Sequence, residues 1–228
     1  MTIRLCVFDA YGTLFDVDGA ARSAASGPDG QLLAQVWPQL SASWRRKQLE
    51  YTWLRAAAGH HADFAQVTEN ALDWALEEAG LDDAGLRARL LELYQELPVF
   101  AEVPDSLRGL AARGMALAIL SNGTPAMLAS AVRACGLQDM FQAVLSVEDV
   151  GVFKPAGAVY DMVGARFGVA PQEVLFISSN GWDICAGAAY GFRTLWVNRA
   201  GAPVDRLFGR PDAVARDLRG VGAQLGDV

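Results

Sequence analysis

Short apolar runs recur along the chain, and each run ends at a small or polar residue before a helical pattern begins. Runs of this length predict buried β-strands, and their alternation with helical segments is typical of βαβ units in a parallel sheet. The pattern therefore predicts an α/β fold with a parallel sheet flanked by helices. The predicted strands are Ile3 to Phe8, Met115 to Leu120, Ala143 to Ser146, Val174 to Ile177 and Thr194 to Val197.

The segment between the first two predicted strands is about a hundred residues long, whereas a crossover between parallel strands needs only about a dozen. Most of it has helical periodicity, which predicts an inserted domain. The Gly- and Ser-containing stretch Gly19 to Gly30 predicts a loop at its entrance. We expect a core domain of residues 1–15 and 99–228 and a helical cap domain of residues 16–98. The helices predicted in the cap run from Gln39 to Ala58, around Val67 to Ala75, and around Leu86 to Leu97.

The overall charge excludes one large class of partners. The 228 residues carry a formal net charge of −7 and are 52% apolar, so they can bury a large core but do not offer the basic surface that nucleic acid requires. An anionic ligand would need a site built locally from a few cations and backbone N–H groups. Isolated lysine and arginine residues near the candidate catalytic residues are therefore candidates for binding such a ligand.

The N-terminal apolar run stops at Asp9, and no run of about 18 apolar residues follows, so neither a signal peptide nor a membrane helix is predicted. We expect a cytoplasmic protein. Cys6, Cys135 and Cys185 are odd in number and lack CxxC spacing. They are interpreted as small buried hydrophobic residues rather than as disulfides or metal ligands.

Polar side chains follow several of the predicted strands. In an open parallel sheet, ligands bind outside the carboxyl ends of the strands. A turn or helix cap would explain each of these residues singly, but together they bring a carboxylate, hydroxyls, an ammonium and a second carboxylate to one edge. They are Asp9 after the first strand, Ser121 and Asn122 after the second, Lys154 in a connection, Ser178, Ser179 and Asn180 after the fourth, and Asp183 one turn later.

The residues at this edge form motifs that resemble those of the haloacid dehalogenase superfamily, and specifically its type II L-2-haloacid dehalogenases. The resemblance covers nearly the whole chain and implies a Rossmann-like core with a helical cap. The matching segments are Phe8 to Asp16 (FDAYGTLFD), Trp44 to Leu54 in the first cap helix, Leu120 to Gly123, Phe153 to Pro155, and Ser178 to Asp183.

Two positions distinguish a dehalogenase from the magnesium-dependent phosphatases and phosphonate hydrolases of the same superfamily. The phosphatases carry a general-acid Asp two residues after the nucleophile, where this chain has Tyr11. A halide leaves without a proton, so dehalogenation tolerates the loss of that acid. The phosphatases also place a magnesium-binding Asp where this chain has Ser179. The hypothesis is therefore metal-independent dehalogenation without a cofactor, and magnesium-dependent phosphatase or phosphonate hydrolase activity is the alternative.

The resemblance implies a two-step reaction on a small L-2-haloacid. Asp9 attacks C2 and displaces the halide, and water then hydrolyses the aspartyl ester to give a D-2-hydroxy acid with inversion at C2. Arg45 and Asn122 would hold the halide, and Ser121 would hold the substrate carboxylate together with backbone N–H groups near Tyr11 and Thr13. Thr13 would also support the nucleophile loop through its hydroxyl.

The remaining site residues would activate water or line the pocket. By resemblance, Lys154 pairs with Asp9, while Asn180, Ser178 and Asp183 position Lys154 and the water, with Asp183 as the base. The apolar wall and its support would be Tyr11, Leu49, Phe64, Tyr160 and Trp182.

Other features stay open at this point. His60 and His61 match no catalytic position and are interpreted as solvated residues without partners. The resembling family implies a homodimer. A catalytically silent protein that binds a small acid is a further alternative.

Overall fold

The core of the protein is a six-stranded parallel sheet with the strand order β3-β2-β1-β4-β5-β6. The protein is represented by a computed structural model that describes residues 2–27 and 30–225, including all their side chains except those of residues 31 and 32. The strands are β1 (Leu5–Phe8), β2 (Ala116–Ser121), β3 (Ala143–Ser146), β4 (Val174–Ser178), β5 (Arg193–Val197) and β6 (Ala213–Ala215).

Strand β1 lies at the centre of the sheet, between β2 and β4, with Phe8 in register with Ile119 and Ile177. The strands that follow β1 in the chain lie first on one side of it and then on the other. This reversal opens a crevice beyond the carboxyl ends of β1, β2 and β4, where open α/β sheets bind ligands.

In the part of the chain that the structure describes, six helices lie between β1 and β2 and three follow β2. Helix α3 (Trp37–Ala58) has a proline near its start and is followed by Gly59, whose φ of +67° suits glycine. Helix α4 (Phe64–Glu78) is capped by the Asp63 side chain, which accepts from the Gln66 N–H at 2.8 Å. The helices are α1 (Gly19–Ala25), α2 (Gly30–Leu33), α3 (Trp37–Ala58), α4 (Phe64–Glu78), α5 (Ala84–Tyr94), α6 (Val103–Ala112), α7 (Pro125–Ala134), α8 (Gly157–Phe167) and α9 (Gly181–Tyr190).

The chain leaves the sheet and returns to it along two segments that lie side by side. The Asp16 N–H donates to the Pro98 carbonyl at 2.8 Å, and the Phe100 N–H donates to the Leu14 carbonyl at 3.1 Å. A Cβ atom at Gly19 would lie 2.6 Å from Pro98 Cδ, so only glycine permits this close approach. The helices from α1 to α5 are therefore connected to the sheet through one narrow pair of segments.

The sequence predicted the fold class and the five longest strands, but it missed β6 and misjudged one stretch. Within Gly19 to Gly30, which was predicted to be a loop, residues 19–25 form helix α1, and residues 28 and 29 lie outside the described residues. Ala20, Ala21 and Ala24 are buried in α1, which packs against α5. A helix that buries only small side chains has weak hydrophobic periodicity, which explains the error.

Two of the three cysteines are buried, as predicted, and one is not. Cys6 and Cys185 are buried, Cys135 is half-buried, and all three are free thiols. Burial raises the pKa of the Cys6 thiol to about 12. Within the described part of the chain, no helix is both long and apolar enough to cross a membrane.

Candidate active site

Asp9 lies directly beyond β1, and its backbone N–H extends the sheet by donating to the Ile177 carbonyl at 2.9 Å. The residue is 6% exposed, and its side chain accepts three hydrogen bonds. Lys154 Nζ donates to Oδ1 at 3.2 Å, while Thr13 Oγ1 and Asn180 Nδ2 donate to Oδ2 at 2.9 and 2.8 Å. These donors stabilise an ionised carboxylate and fix its orientation.

Lys154 connects the two carboxylates of the site. Its ammonium is buried and lies 3.2 Å from Asp9 Oδ1 and 2.8 Å from Asp183 Oδ2. Its backbone N–H donates to Asn122 Oδ1 at 3.0 Å, so the residue after β2 holds the loop that carries the lysine. One positive charge is thus shared by two buried negative charges.

The pKa values of Lys154 and Asp183 are both raised, and each of the two groups opposes the effect that burial has on the other. Burial alone would lower the pKa of Lys154, but the adjacent carboxylates of Asp183 and Asp9 outweigh burial and raise it above 10.5. Burial raises the pKa of Asp183 above 3.8; Lys154 opposes the rise, and the Asp9 charge adds to it. Asp183 is therefore a stronger base than an exposed aspartate.

Tyr160 holds the second oxygen of Asp183. Its hydroxyl donates to Asp183 Oδ1 at 2.7 Å, and burial and the Asp183 charge raise the pKa of Tyr160 far above 10, so it remains a donor. The ring lies in the core, with its centroid 6.0 Å from that of Phe176 and 5.5 Å from that of Tyr190. Tyr160 therefore lies beneath Asp183 and does not share the aromatic cluster of Tyr11.

The serines at the ends of β2 and β4 form matching turns. Ser121 Oγ accepts from the Gly123 N–H, and Ser178 Oγ accepts from the Asn180 N–H, each at 3.1 Å. Both serines are buried, and Asn122 is 8% exposed. Each hydroxyl shapes the loop that follows its strand and keeps its own proton to donate.

The Thr13 hydroxyl connects the nucleophile loop to the loop after β4. Thr13 Oγ1 accepts from the Ser179 N–H at 2.8 Å and lies 3.2 Å from Ser179 Oγ. The Thr13 N–H donates to the Ala10 carbonyl at 3.3 Å. Among the described residues, no group of three or more His, Cys, Asp or Glu side chains could hold a metal ion.

Arg45 reaches the site from α3. Its Nη2 donates to Asn180 Oδ1 at 3.2 Å and to the Tyr11 carbonyl at 3.4 Å. Leu49 lies one turn further along α3 and, like Arg45, is half-buried. No hydrogen bond joins Arg45 to Asn122 in the described residues, so the structure brings Arg45 to the Asn180 side of the site.

An aromatic cluster borders the site on the helical side. The Tyr11 ring packs against Phe64 and Tyr94, with both centroids 5.6 Å away, and is nearly parallel to Tyr94. Trp182 contacts Trp53 edge to face at 5.4 Å. The Tyr11 hydroxyl and Trp182 Nε1 are buried without a hydrogen-bond partner in the described part of the chain. Burial also raises the pKa of Tyr11 well above 10, so its hydroxyl keeps its proton.

Arg199 is a site residue that the sequence analysis missed. One guanidinium nitrogen donates to the Thr13 carbonyl at 2.9 Å, and another pairs with Glu102 at 2.6 Å. The guanidinium also lies 3.7 Å from the Phe100 ring centroid. Arg199 thereby connects the nucleophile loop to the segment that returns from the helices. Its position after β5, at the same edge of the sheet, was the available signal.

Glu148 was also missed, and His61, which is exposed as predicted, has a partner that was not predicted. His61 is not without a partner, because its Nε2 lies 2.9 Å from Glu148 Oε2. Glu148 Oε1 also accepts from the Phe64 N–H at 3.1 Å. His60 is exposed, as expected. The contact between His61 and Glu148, which are 87 residues apart, depends on how α4 is oriented. The hydrophobic periodicity of the sequence does not predict that orientation.

Known proteins are similar to this chain in both sequence and fold. The model of the haloacid dehalogenase-like hydrolases matches residues 3–191. An (S)-2-haloacid dehalogenase from Pseudomonas sp. strain YL is 42% identical over 220 residues, which cover 96% of this chain and 93% of that protein.

Two solved structures are similar over nearly the full length. A crystal structure of an L-2-haloacid dehalogenase aligns with a TM-score of 0.93 and 40% identity over 100% of both chains. The L-2-haloacid dehalogenase from Xanthobacter autotrophicus with chloropropionic acid covalently bound aligns with a TM-score of 0.87 and 35% identity, over 99% of this chain and 100% of that one. The chain belongs to the haloacid dehalogenase-like hydrolase family.

Proposed function

We propose that this protein hydrolyses small L-2-haloacids to D-2-hydroxy acids through an aspartyl ester on Asp9, with inversion at C2. The observation that carries the proposal is the buried Asp9 carboxylate, held by Lys154, Thr13 and Asn180 at the carboxyl end of β1. The relatives support it, since they are (S)-2-haloacid dehalogenases and one holds covalently bound chloropropionic acid.

In the first step, an Asp9 carboxylate oxygen attacks C2 from the side opposite the halogen. The carbon–oxygen bond forms as the carbon–halogen bond breaks, and the halide leaves with the electron pair. The three donors to Asp9 fix its direction of attack. The Arg45 guanidinium and the Asn122 amide would hold the halide, and the Ser121 hydroxyl would hold the substrate carboxylate.

In the second step, water adds to the carbonyl carbon of the Asp9 ester and gives its proton to Asp183. The bond between that carbon and the oxygen attached to C2 then breaks, and the departing alkoxide takes up the proton from Asp183. The second proton of the water is released, which restores the Asp9 carboxylate. Asp183 suits this role because burial raises its pKa, while Tyr160 and Lys154 keep it oriented. Asn180 and Ser178 would support the loop that positions the water.

The aromatic cluster supports the recognition of a small apolar group next to the reacting carbon. We propose that Tyr11, Phe64, Trp182 and Leu49 form the wall of the substrate pocket. Buried polar groups without partners are costly and uncommon. The Tyr11 hydroxyl and the Trp182 indole N–H, which lack partners in the described residues, are therefore available to a polar ligand.

We further propose that the reaction needs no metal ion or other cofactor. The support comes from the two side chains that stand where a phosphatase has carboxyl groups. Ser179 offers a hydroxyl, already hydrogen-bonded to Thr13, where a magnesium-dependent phosphatase carries a carboxylate. Tyr11, whose raised pKa keeps it protonated, replaces the carboxylic acid that would protonate an alkoxide leaving group.

The proposal extends to the organisation of the chain. Residues 1–15 and 99–228 would form the core domain and residues 16–98 the helical cap domain, which the paired connecting segments support. A homodimer is supported by the exposure of Trp53 (39%) and Leu54 (58%) on α3. The three free cysteines are compatible with a cytoplasmic location.

The test is halide release from L-2-chloropropionate and from its D enantiomer, with and without a chelator. We expect release from the L form alone, equal rates with the chelator, and no release by Asp9→Asn. Magnesium-dependent phosphate release without halide release would contradict the proposal and favour the phosphatase alternative.

A further inference from the structure

Glu148 connects the sheet to the helices that precede β2. It lies in a short 3₁₀ turn after β3, where its N–H donates to Ser146 Oγ at 3.2 Å. One of its carboxylate oxygens contacts the imidazole of His61, between α3 and α4, at 2.9 Å, and the other accepts from the N–H of Phe64, the first residue of α4, at 3.1 Å. A single side chain thus holds two points of the helical region.

The chemistry of these contacts favours a stable arrangement. An ionised carboxylate can only accept hydrogen bonds, so the His61 Nε2 in this contact carries the proton. Phe64 is the first residue of α4, where backbone N–H groups lack partners within the helix and the helix dipole is positive. The side chains of His61 and Glu148 are 27% and 20% exposed, so solvent screens the pair only in part.

The same segment carries a residue of the proposed pocket wall. Phe64 is 1% exposed, and its ring centroid lies 5.6 Å from that of Tyr11 and 6.4 Å from that of Phe153. The His61 ring also packs on Phe153, with a centroid distance of 4.8 Å. Phe153 directly precedes Lys154 in the chain. A displacement of the Glu148 contact would therefore move the wall relative to the catalytic groups.

We infer that Glu148 is a positioning residue, which holds His61 and the start of α4 so that Phe64 forms the pocket wall beside Tyr11. The inference rests on the proposed function, because the role of Phe64 as a wall residue belongs to it. Glu148 contacts none of Asp9, Lys154 and Asp183 in the described structure. Its loss should therefore weaken substrate binding more than it slows the chemical steps.

The sequence provides matched controls for the test. Asp149 is an exposed carboxylate next to Glu148, and His60 is an exposed imidazole next to His61. We expect Glu148→Ala to raise KM for L-2-chloropropionate about five-fold, as the loss of two hydrogen bonds to a charged group can do, and to change kcat less than two-fold. Asp149→Ala and His60→Ala should change neither constant.

His61→Ala gives a second variant that removes only one of the two contacts. It should raise KM less than Glu148→Ala does, and the double variant should resemble Glu148→Ala, because both changes act through one contact. Lowered stability with an unchanged KM in both single variants would overturn the inference and leave Glu148 a purely structural residue.

Amide hydrogen exchange gives a reading that does not depend on activity. Exchange at the start of α4 should be faster in Glu148→Ala than in the wild type and unchanged in Asp149→Ala. Unchanged exchange in Glu148→Ala would overturn the inference. A wild type that releases no halide would instead overturn the proposed function, and exchange would still show whether Glu148 holds the start of α4.

Discussion

The two sides of the site are built differently. On the sheet side, Asp9, Lys154 and Asp183 are at most 6% exposed, and hydrogen bonds of 2.8 to 3.2 Å connect them. On the helical side, Arg45 is half-buried and makes contacts of 3.2 and 3.4 Å, and Tyr11 has a buried hydroxyl without a partner in the described residues. The reacting groups are fixed by charge, whereas the recognition groups are held mainly by packing.

This comparison predicts how substitutions will act. Changes on the sheet side should lower kcat by orders of magnitude and disturb folding, because they leave charges buried without partners. Changes on the helical side should mainly raise KM. A sheet-side variant that only raises KM, or a helical-side variant that lowers kcat by orders of magnitude, would contradict this comparison.

The largest effect is expected for Lys154→Met. Without the ammonium, Asp9 and Asp183 are buried next to each other, so one of them takes up a proton and the nucleophile is weakened. We expect kcat to fall about 10³-fold and the free energy of unfolding to fall by about 3–5 kcal/mol. Steady-state kinetics and urea unfolding measure both.

Arg89 is a suitable control, because it pairs with Glu92 on the exposed surface of α5. Arg89→Met should change the free energy of unfolding by less than about 1 kcal/mol and leave kcat unchanged. An active Lys154→Met protein would show that the shared ammonium is not needed for the reaction.

A smaller effect, visible in the pH profile, is expected for Tyr160→Phe. Burial raises the pKa of Asp183, and the Tyr160 hydrogen bond opposes that rise. Its removal should raise the pKa of Asp183 further, so the ionised base is lost at a higher pH as the solution is acidified. The acidic limb of the kcat profile should move to higher pH, with kcat at the optimum lowered about ten-fold.

Tyr190→Phe is the matched control, since the Tyr190 hydroxyl donates to Asp161 at 2.6 Å and its ring packs beside Tyr160. Its acidic limb should coincide with that of the wild type. A limb in Tyr160→Phe that stays in place or moves to lower pH would exclude Asp183 as the base.

The smallest effect is expected for Tyr11→Phe. Removing a buried hydroxyl that lacks a partner should not lower the free energy of unfolding, whereas Tyr94→Phe, which loses a hydrogen bond to Gln48, should lower it by about 1 kcal/mol. Tyr11→Phe should raise KM about three-fold with kcat unchanged. An unchanged KM would show that the hydroxyl does not contact the substrate.

The sequence predicted the sheet side of the site better than the helical side. Strands buried on both faces are continuous apolar runs, so β1, β2 and β4 could be located, and the residues after them share one edge for topological reasons. Strand β6 was missed because it has three residues and exposes Val214.

Contacts between the helices and the sheet could not be predicted in the same way. The positions of Glu148, Tyr94 and Arg199 depend on how helices and loops pack, and single-sequence periodicity shows which face of a helix is buried but not what it contacts. Small side chains in α1 gave no clear period, so a helix was predicted to be a loop.

The covalent role of Asp9 is tested most directly by a single turnover in ¹⁸O-labelled water, with enzyme in excess over L-2-chloropropionate. If water attacks the carbonyl carbon of an Asp9 ester, the first product carries unlabelled oxygen in its hydroxyl group. The label then enters the Asp9 carboxylate, where mass spectrometry of the peptide that contains it would detect a gain of about 2 Da. Labelled hydroxyl oxygen in the first product, with Asp9 unlabelled, would mean that water displaces the halide directly and would contradict the account.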